Sequence, residues 1–522
     1  MDIITLIMMI IVGIILLISN IYILLYYSHP DDRSSCIGWF LKVLVIIGLT
    51  LAWFQVLLLP LDVNNIRTSG SGLNMKILWY ILYISIIIYV LILFPITSSL
   101  YETDEDWSFC EKFQHSLCWF FVYIIFFGGL SLVLYFTVGY AELPVHSINC
   151  DYSSFVNLSS NIDISVIEDL ISCNVNKEST ITISVSFIIY AIAILSFVSW
   201  FVFAFFGGIG LAAVPLDFFY SFFTRPRSMS GRNLKKRKEI LLTELEELKI
   251  LGNELTDLEE RGANRKWFCS SDKRRYDNVK HEFTARYAVA EEEYHIVNAS
   301  VESRVKNNLV VLCYYCLLPF GFLSSILTII WIIQFSCSYF YIKNGRPGFA
   351  FLSSILIYFQ DHEISFLSFF LFAILCLYLL ACLIKGNFKF GVRILCCWSV
   401  HPMKKDKTYM NSFIFNVSLI LLGSCAITQF CADTLYDYVS FTDIDSLFNV
   451  MIKNLKIFSL FYKYHIFQYI LFGIFILSLI YLCCRPYDRK IPKYVKSKHI
   501  EDPKEMKLLN KKGKKKPKKN YD

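Results

Sequence analysis

Apolar runs of twenty or more residues alternate with short polar stretches along almost the whole chain. A hydrocarbon core about 30 Å thick takes roughly 20 apolar residues as one helix. By that measure, runs at 3–27, 37–61, 75–97, 117–140, 181–206, 309–335, 364–384, 411–431 and 465–484 predict nine membrane spans. The first has two residues ahead of it and no basic flank, and reads as a retained signal-anchor. Two stretches are ambiguous. Ile181 to Phe223 carries one charge, Asp217, over a length fit for two spans; it is read as one span followed by an interfacial or re-entrant piece. Phe349 to Phe359 is too short to cross and is read as a dip into the membrane. The expected fold class is all-α: a polytopic membrane protein with a helical insert. Its segments are a five-span bundle (1–223), the insert (224–308), a four-span bundle (309–484) and a tail (485–522).

Composition agrees with this pattern. The 522 residues are 56% hydrophobic and 18% charged, against roughly 25% charged in soluble domains. That excludes a soluble enzyme and a disordered chain. Charge then orients the spans, because Lys and Arg accumulate in cytoplasmic loops. Segments 28–36, 98–116, 207–308, 385–410 and 485–522 hold 41 of the basic residues; 62–76, 141–180, 336–363 and 432–464 hold eight. The first set is expected in the cytoplasm, with the N-terminus outside or lumenal. In the long outer loop 141–180, Asn157-Leu158-Ser159 is a glycosylation sequon. Cys150 and Cys173 share that loop and are expected to pair in an oxidising compartment, with Cys337 and Cys431 as a second candidate pair.

The insert carries leucines every seventh residue, Leu234, Leu241, Leu248 and Leu255. After Gly262 a four-three alternation runs through Tyr276, Lys280, Phe283, Tyr287, Ala290, Tyr294, Val297 and Val301. These are seam spacings of packed helices. They predict a cytoplasmic antiparallel hairpin, either a brace for the adjoining spans or a docking platform for a partner. The tail, with seven lysines between Lys511 and Lys519, is either an anionic-lipid contact or a solvated run that fixes topology.

Candidate chemistry is sparse. Lys42, Asp62, Glu142 and Asp217 are the few charges in or beside spans, all near span ends. No metal-ligand spacing, nucleotide loop or nucleophile–base pair appears, so no enzyme, cofactor or nucleic-acid partner is expected. Membrane lipid and protein partners are. Leu59-Pro60-Leu61-Asp62 closes the second span and Val214-Pro215-Leu216-Asp217 follows the fifth. Proline removes a backbone donor and frees carbonyls, so Pro60/Asp62 and Pro215/Asp217 are candidate helix breaks around a substrate path. Gly128-Gly129 and Gly207-Gly208 offer close helix contact.

Leu59 to Asp62, the acidic loop Glu102 to Asp106, and Gly207-Gly208-Ile209-Gly210-Leu211-Ala212-Ala213-Val214-Pro215-Leu216-Asp217 followed by Arg225-Pro226 resemble the limb-region-like membrane proteins. That family includes the lipocalin-interacting membrane receptor and the lysosomal cobalamin-transport escort protein. The resemblance covers about 1–485; the Lys-rich tail departs from it and leaves plasma membrane or endolysosomal membrane open. It implies a non-enzymatic receptor, escort or scaffold assisting uptake or transport of a ligand, cobalamin or lipocalin-type cargo, together with a transporter or receptor. A secondary transporter is the alternative.

Overall fold

The computed structural model describes residues 3–29, 36–67, 74–103, 107–150, 173–223, 231–262, 271–305, 308–340, 350–362, 364–389 and 408–484, with 342–343, 346–347, 393–394, 398–399 and 403 between them. In chain order come α1 (Ile3–Tyr27), α2 (Cys36–Arg67), α3 (Met75–Glu102), α4 (Phe109–Val138), β1 (Tyr140–Cys150), β2 (Cys173–Ser184) and α5 (Phe187–Phe223). Then follow α6 (Gly231–Glu260), α7 (Ser271–Val305), α8 (Asn308–Tyr339), α9 (Phe351–Asp361), α10 (Ser365–Lys389), α11 (Met410–Thr434) and α12 (Ile466–Cys484). Nine of these helices, all but α6, α7 and α9, are long and apolar enough to cross a membrane among the described residues. The expected nine-span helical architecture holds; Asn157 and the tail 485–522 lie outside the described residues.

Polar caps set several helix starts. Ser108 Oγ accepts the Glu111 N–H while the Glu111 carboxylate accepts the Ser108 N–H at 2.9 Å, a capping box. It starts α4 at Phe109, eight residues before the apolar run begins. Ser186 caps α5, so this span starts at 187 rather than 181. The residues before it alternate Thr180, Ile181, Thr182, Ile183, the period of a strand, and extend β2 along β1 in an antiparallel ladder. Nor does a re-entrant piece follow this span: α5 runs on to Phe223, with a π-helical turn at Phe203–Gly207. In place of the expected dip, Phe351–Asp361 forms the short α9, which packs on α10.

Contacts divide the chain into two compact units, Met1–Val214 with Ser324–Leu479 and Pro215–Leu323 with Ile480–Asp522. The centre of the first is α11. From Phe413 to Thr434 nearly every residue is buried, including Asn416, Ser424, Thr428 and Gln429, and α2, α5 and α10 pack around it. The periphery is the opposite: Ser116 is the buried residue of α4, whose apolar faces suit hydrocarbon rather than protein. Helices α5 and α10 touch backbone to backbone. A Cβ at Gly210 would overlap the Cys382 carbonyl, and one at Gly386 the Phe206 carbonyl. Of the two expected Gly-Gly contacts, Gly208 is close to α12, whereas Gly128 and Gly129 of α4 meet no other helix.

In the second unit α6 and α7 pair antiparallel. Leu241, Leu248 and Ala290 form one cluster with Phe283; Leu258 and Tyr276 form another with Leu255 and Val279. Ion pairs Arg237–Glu293 (3.2 Å), Arg286–Glu247 (2.6 Å) and Arg275–Glu254 (2.7 Å) run in opposite order along the two helices. Such exposed pairs contribute at most about 1 kcal/mol each; the leucine row holds the pair. Gly262, at φ 70°, takes the left-handed conformation at the end of α6. The seam is narrower than the sequence pattern. Ala290 and Val297 are buried, but Tyr287 and Tyr294 are more than half exposed, because α6 offers one heptad row and covers one row in return.

Candidate functional site

Described residues of the polar stretches 62–76, 141–180 and 336–363 meet the stretch 432–464 in the first unit. The Ile444 N–H donates to Asp62 Oδ2 (3.2 Å), the Glu142 N–H to the Asn454 carbonyl (2.9 Å) and the Tyr339 hydroxyl to Asp433 Oδ2 (2.8 Å). A second set of contacts runs likewise: the His29 N–H donates to the Thr408 carbonyl and Asn411 Nδ2 to Glu102.

Asp62 is wholly buried, one helical turn short of the end of α2. Its Oδ2 also accepts the Trp79 indole N–H at 2.9 Å, while Oδ1 has no hydrogen-bond partner. The carboxylate thus caps the turn Asp443–Asp445, which leads into a π-helical stretch at Ser446–Ile452; a negative group at a helix N-terminus is the favourable polarity. The reading of Leu59 to Asp62 as the close of a span is corrected here. Pro60 lies inside α2, which continues through it to Arg67. Pro215 likewise lies inside α5. It removes the donor for the Leu211 carbonyl, four residues back, and the Thr328 hydroxyl of α8 meets that carbonyl at 3.3 Å. That hydroxyl also reaches the Ser324 carbonyl at 3.0 Å and the Tyr378 hydroxyl at 2.6 Å, so it shares one proton among them, and the helix passes its proline unbroken. Asp62 and Asp217 fall in different units.

Beside Asp62 the lower turns of α11 carry a polar stripe. Gln55 Nε2 donates to the Tyr83 hydroxyl (2.8 Å), and Thr428 stands 3.5 Å from that hydroxyl. The Trp200 indole N–H donates to Gln429 Oε1 at 2.7 Å. At its end Asp433 pairs with Lys453 at 2.7 Å. The Tyr339 ring, whose hydroxyl reaches Asp433, lies 4.9 Å from the His465 ring. His465 is left-handed, at φ 51°, and its Nδ1, like Gln468 Oε1, is buried without a partner. Nearby, Lys456 meets the Tyr140 hydroxyl, which holds its ammonium above the usual lysine range. Among the described residues no three His, Cys, Asp or Glu side chains gather as a metal site would need.

Sequence reasoning placed Asp62 at a span end free to reach the interface; it did not single out Asp433, Lys453, His465 or Tyr339. One signal was available. The run 411–431 is the span richest in Asn, Ser, Thr and Gln, and polar residues of that kind face protein in a membrane. The register sets Cys150 opposite Cys173. The Cys337–Cys431 pairing is not formed. The Cys431 sulfur instead lies 3.7 Å from that of Cys376, both buried inside the bundle.

A family model described as LMBR1-like membrane protein matches residues 5–266 and 259–485. A LIMR family protein of Dictyostelium discoideum is 30% identical, over 90% of this chain and 95% of its own. A rice LIMR family protein is 30% identical, over 92% and 96%. A Dictyostelium protein named probable lysosomal cobalamin transporter is 30% identical over 38% of each chain. No solved structure matches.

Proposed function

We propose, because the chain belongs to the LMBR1-like membrane protein family, that it is a multi-pass membrane receptor or escort assisting uptake or transport of a ligand with partner proteins. Cobalamin is the cargo class suggested by the relative named a probable lysosomal cobalamin transporter. The observation that carries an escort role is the engagement of the buried charges. Asp62 caps a neighbouring segment and Asp433 holds Lys453, so both brace the bundle end. The α6/α7 pair, with Tyr287 and Tyr294 turned outward, is the surface we assign to a cytosolic partner. The second reading, a transporter acting alone, draws on that relative's name. Proteoliposomes of the purified chain decide between them: labelled cobalamin should not enter unaided, and unaided saturable entry would sink the escort reading. Deleting 231–305 should abolish partner recovery in a pull-down; unchanged recovery would remove the docking role.

The reading puts the N-terminus outside or in the lumen, the hairpin and tail in the cytoplasm, and the β1/β2 loop in an oxidising compartment of the plasma or endolysosomal membrane. One gel tests the loop. Glycosidase should shift the wild type but not Asn157→Gln, and thiol labelling of Cys150 and Cys173 should need prior reduction. Modification at Asn298 instead would reverse the orientation.

A further inference from the structure

Helix α12 has 19 residues, Ile466–Cys484. At 1.5 Å per residue it is about 28 Å long, no more than the roughly 30 Å of hydrocarbon it must cross. Its first residue therefore stands at the hydrocarbon boundary with no length to spare. Only Tyr464 and His465 separate it from a short helix, Phe458–Lys463, so that helix is held at the level of the lipid headgroups. Its packing agrees. Phe458 lies 5.0 Å from Phe197 and 6.3 Å from Tyr190, and Phe461 lies 5.0 Å from Phe197, both partners belonging to the span α5. Next to them Phe467 of α12 meets Phe201 of α5 at 5.1 Å.

Phe458 and Tyr462 are the buried side of this helix. The opposite side is set by periodicity, since residues three and four apart share a face. Ile457, Leu460 and Tyr464 follow that spacing and are 46%, 55% and 62% exposed. Lys463 is exposed beside them. An apolar row ending in a tyrosine and a lysine is the pattern of a membrane interface: the ring sits at headgroup level, and the lysine stem lies along apolar surface while its ammonium reaches the polar layer. The charge along the chain has one sign. Between Asp445 and Asp488 there is no acidic residue, while Lys453, Lys456 and Lys463 all fall there. Lys453 is spent on Asp433, and Lys456 meets Tyr140; Lys463 stands on the exposed face.

We propose that Ile457, Leu460, Lys463 and Tyr464 form a shelf in the membrane interface that seats an anionic phospholipid, the apolar row among its upper acyl carbons and the Lys463 ammonium on its phosphate. The stretch 432–464, counted as a polar loop by sequence, is thus in part a lipid-contacting surface. The shelf is independent of the escort reading, since it rests on helix length, packing and exposure alone. The test begins with the wild-type chain in nanodiscs of phosphatidylcholine and phosphatidylglycerol. Under hydroxyl-radical oxidation Tyr464 should lose most of its reactivity, whereas Tyr287 and Tyr294, also more than half exposed, should oxidise freely. Equal oxidation of Tyr464 and Tyr287 would overturn the proposal. A fluorescent amino acid placed at Leu460 by amber suppression identifies the cover. Spin labels at the headgroup end of the acyl chain should quench it and aqueous iodide should not, with the order reversed for the same fluorophore at Leu242 of α6. Protection of Tyr464 without quenching by spin-labelled lipid would mean that protein covers the face, and would overturn the lipid assignment. Spin-labelled phosphatidylglycerol should quench in preference to spin-labelled phosphatidylcholine by about fivefold, the worth of one lysine near a charged surface, and Lys463→Gln should abolish that preference. No preference, or one that survives Lys463→Gln, would overturn the seat for an anionic headgroup.

Discussion

Gly210→Ala and Gly386→Ala should each collapse the yield of monodisperse protein in detergent, whereas Gly129→Ala should leave it unchanged. The contrast follows from what a methyl group meets. At Gly210 it enters the Cys382 carbonyl and at Gly386 the Phe206 carbonyl, both main-chain atoms that no rotamer change can move. Helices α5 and α10 must then separate and forfeit the contacts on either side. Overpacking a well-filled core costs about 1–3 kcal/mol, and a backbone clash belongs at or above the top of that range. Because α5 and α10 both pack on α11, the displacement is passed to the centre. At Gly129 nothing lies within 4 Å, so alanine there brings only its better helix propensity, about 1 kcal/mol. Thermal unfolding followed by size-exclusion fluorescence reads all three. Equal behaviour of the Gly210 and Gly129 variants would show that the bundle does not depend on the close crossing.

Asp62→Ala should lower thermal stability by about 3 kcal/mol or more. The change orphans two buried donors, the Trp79 indole N–H and the Ile444 N–H, and each unmet buried group costs about 1–3 kcal/mol. Asp62→Asn keeps an acceptor for one or both and should lose much less. Trp79→Phe removes one bond from the carboxylate side, so the pair of single variants and their double form a cycle. A coupling of about 1.5–3 kcal/mol is expected for a hydrogen bond to a charged acceptor. A coupling near zero would mean that the indole and carboxylate do not interact in the membrane.

Hydrophobic run length alone located all nine spans, because the bilayer sets one threshold for every helix. It missed where polar chemistry overrides hydropathy. The capping box at Ser108 begins α4 early, and the Thr/Ile alternation before Ser186 gives residues 181–184 to a strand. Prolines misled for a related reason. Sequence shows the lost donor at Pro215 but not the Thr328 hydroxyl, more than a hundred residues away, that meets the freed carbonyl. The same holds for the cap on Asp443–Asp445: its acceptor, Asp62, lies nearly four hundred positions earlier. Such partners are set by tertiary folding. The heptad row of α6 was legible since a local period dictated it, whereas the exposure of Tyr287 depended on how much surface the partner helix had to offer.

The central helix has a consequence for the order of synthesis. Helix α11 is the least apolar of the nine spans, and its Thr428 and Gln429 are met by Tyr83 and Trp200, made several hundred residues before it. The chain made before residue 410 therefore holds α2, α5 and α10, the helices that pack on α11, without α11 itself. Seven spans precede it in the chain, and the Trp200 indole N–H among them finds its Gln429 partner only once the eighth is in place. A chain halted before residue 410 lacks the helix on which α2, α5 and α10 close.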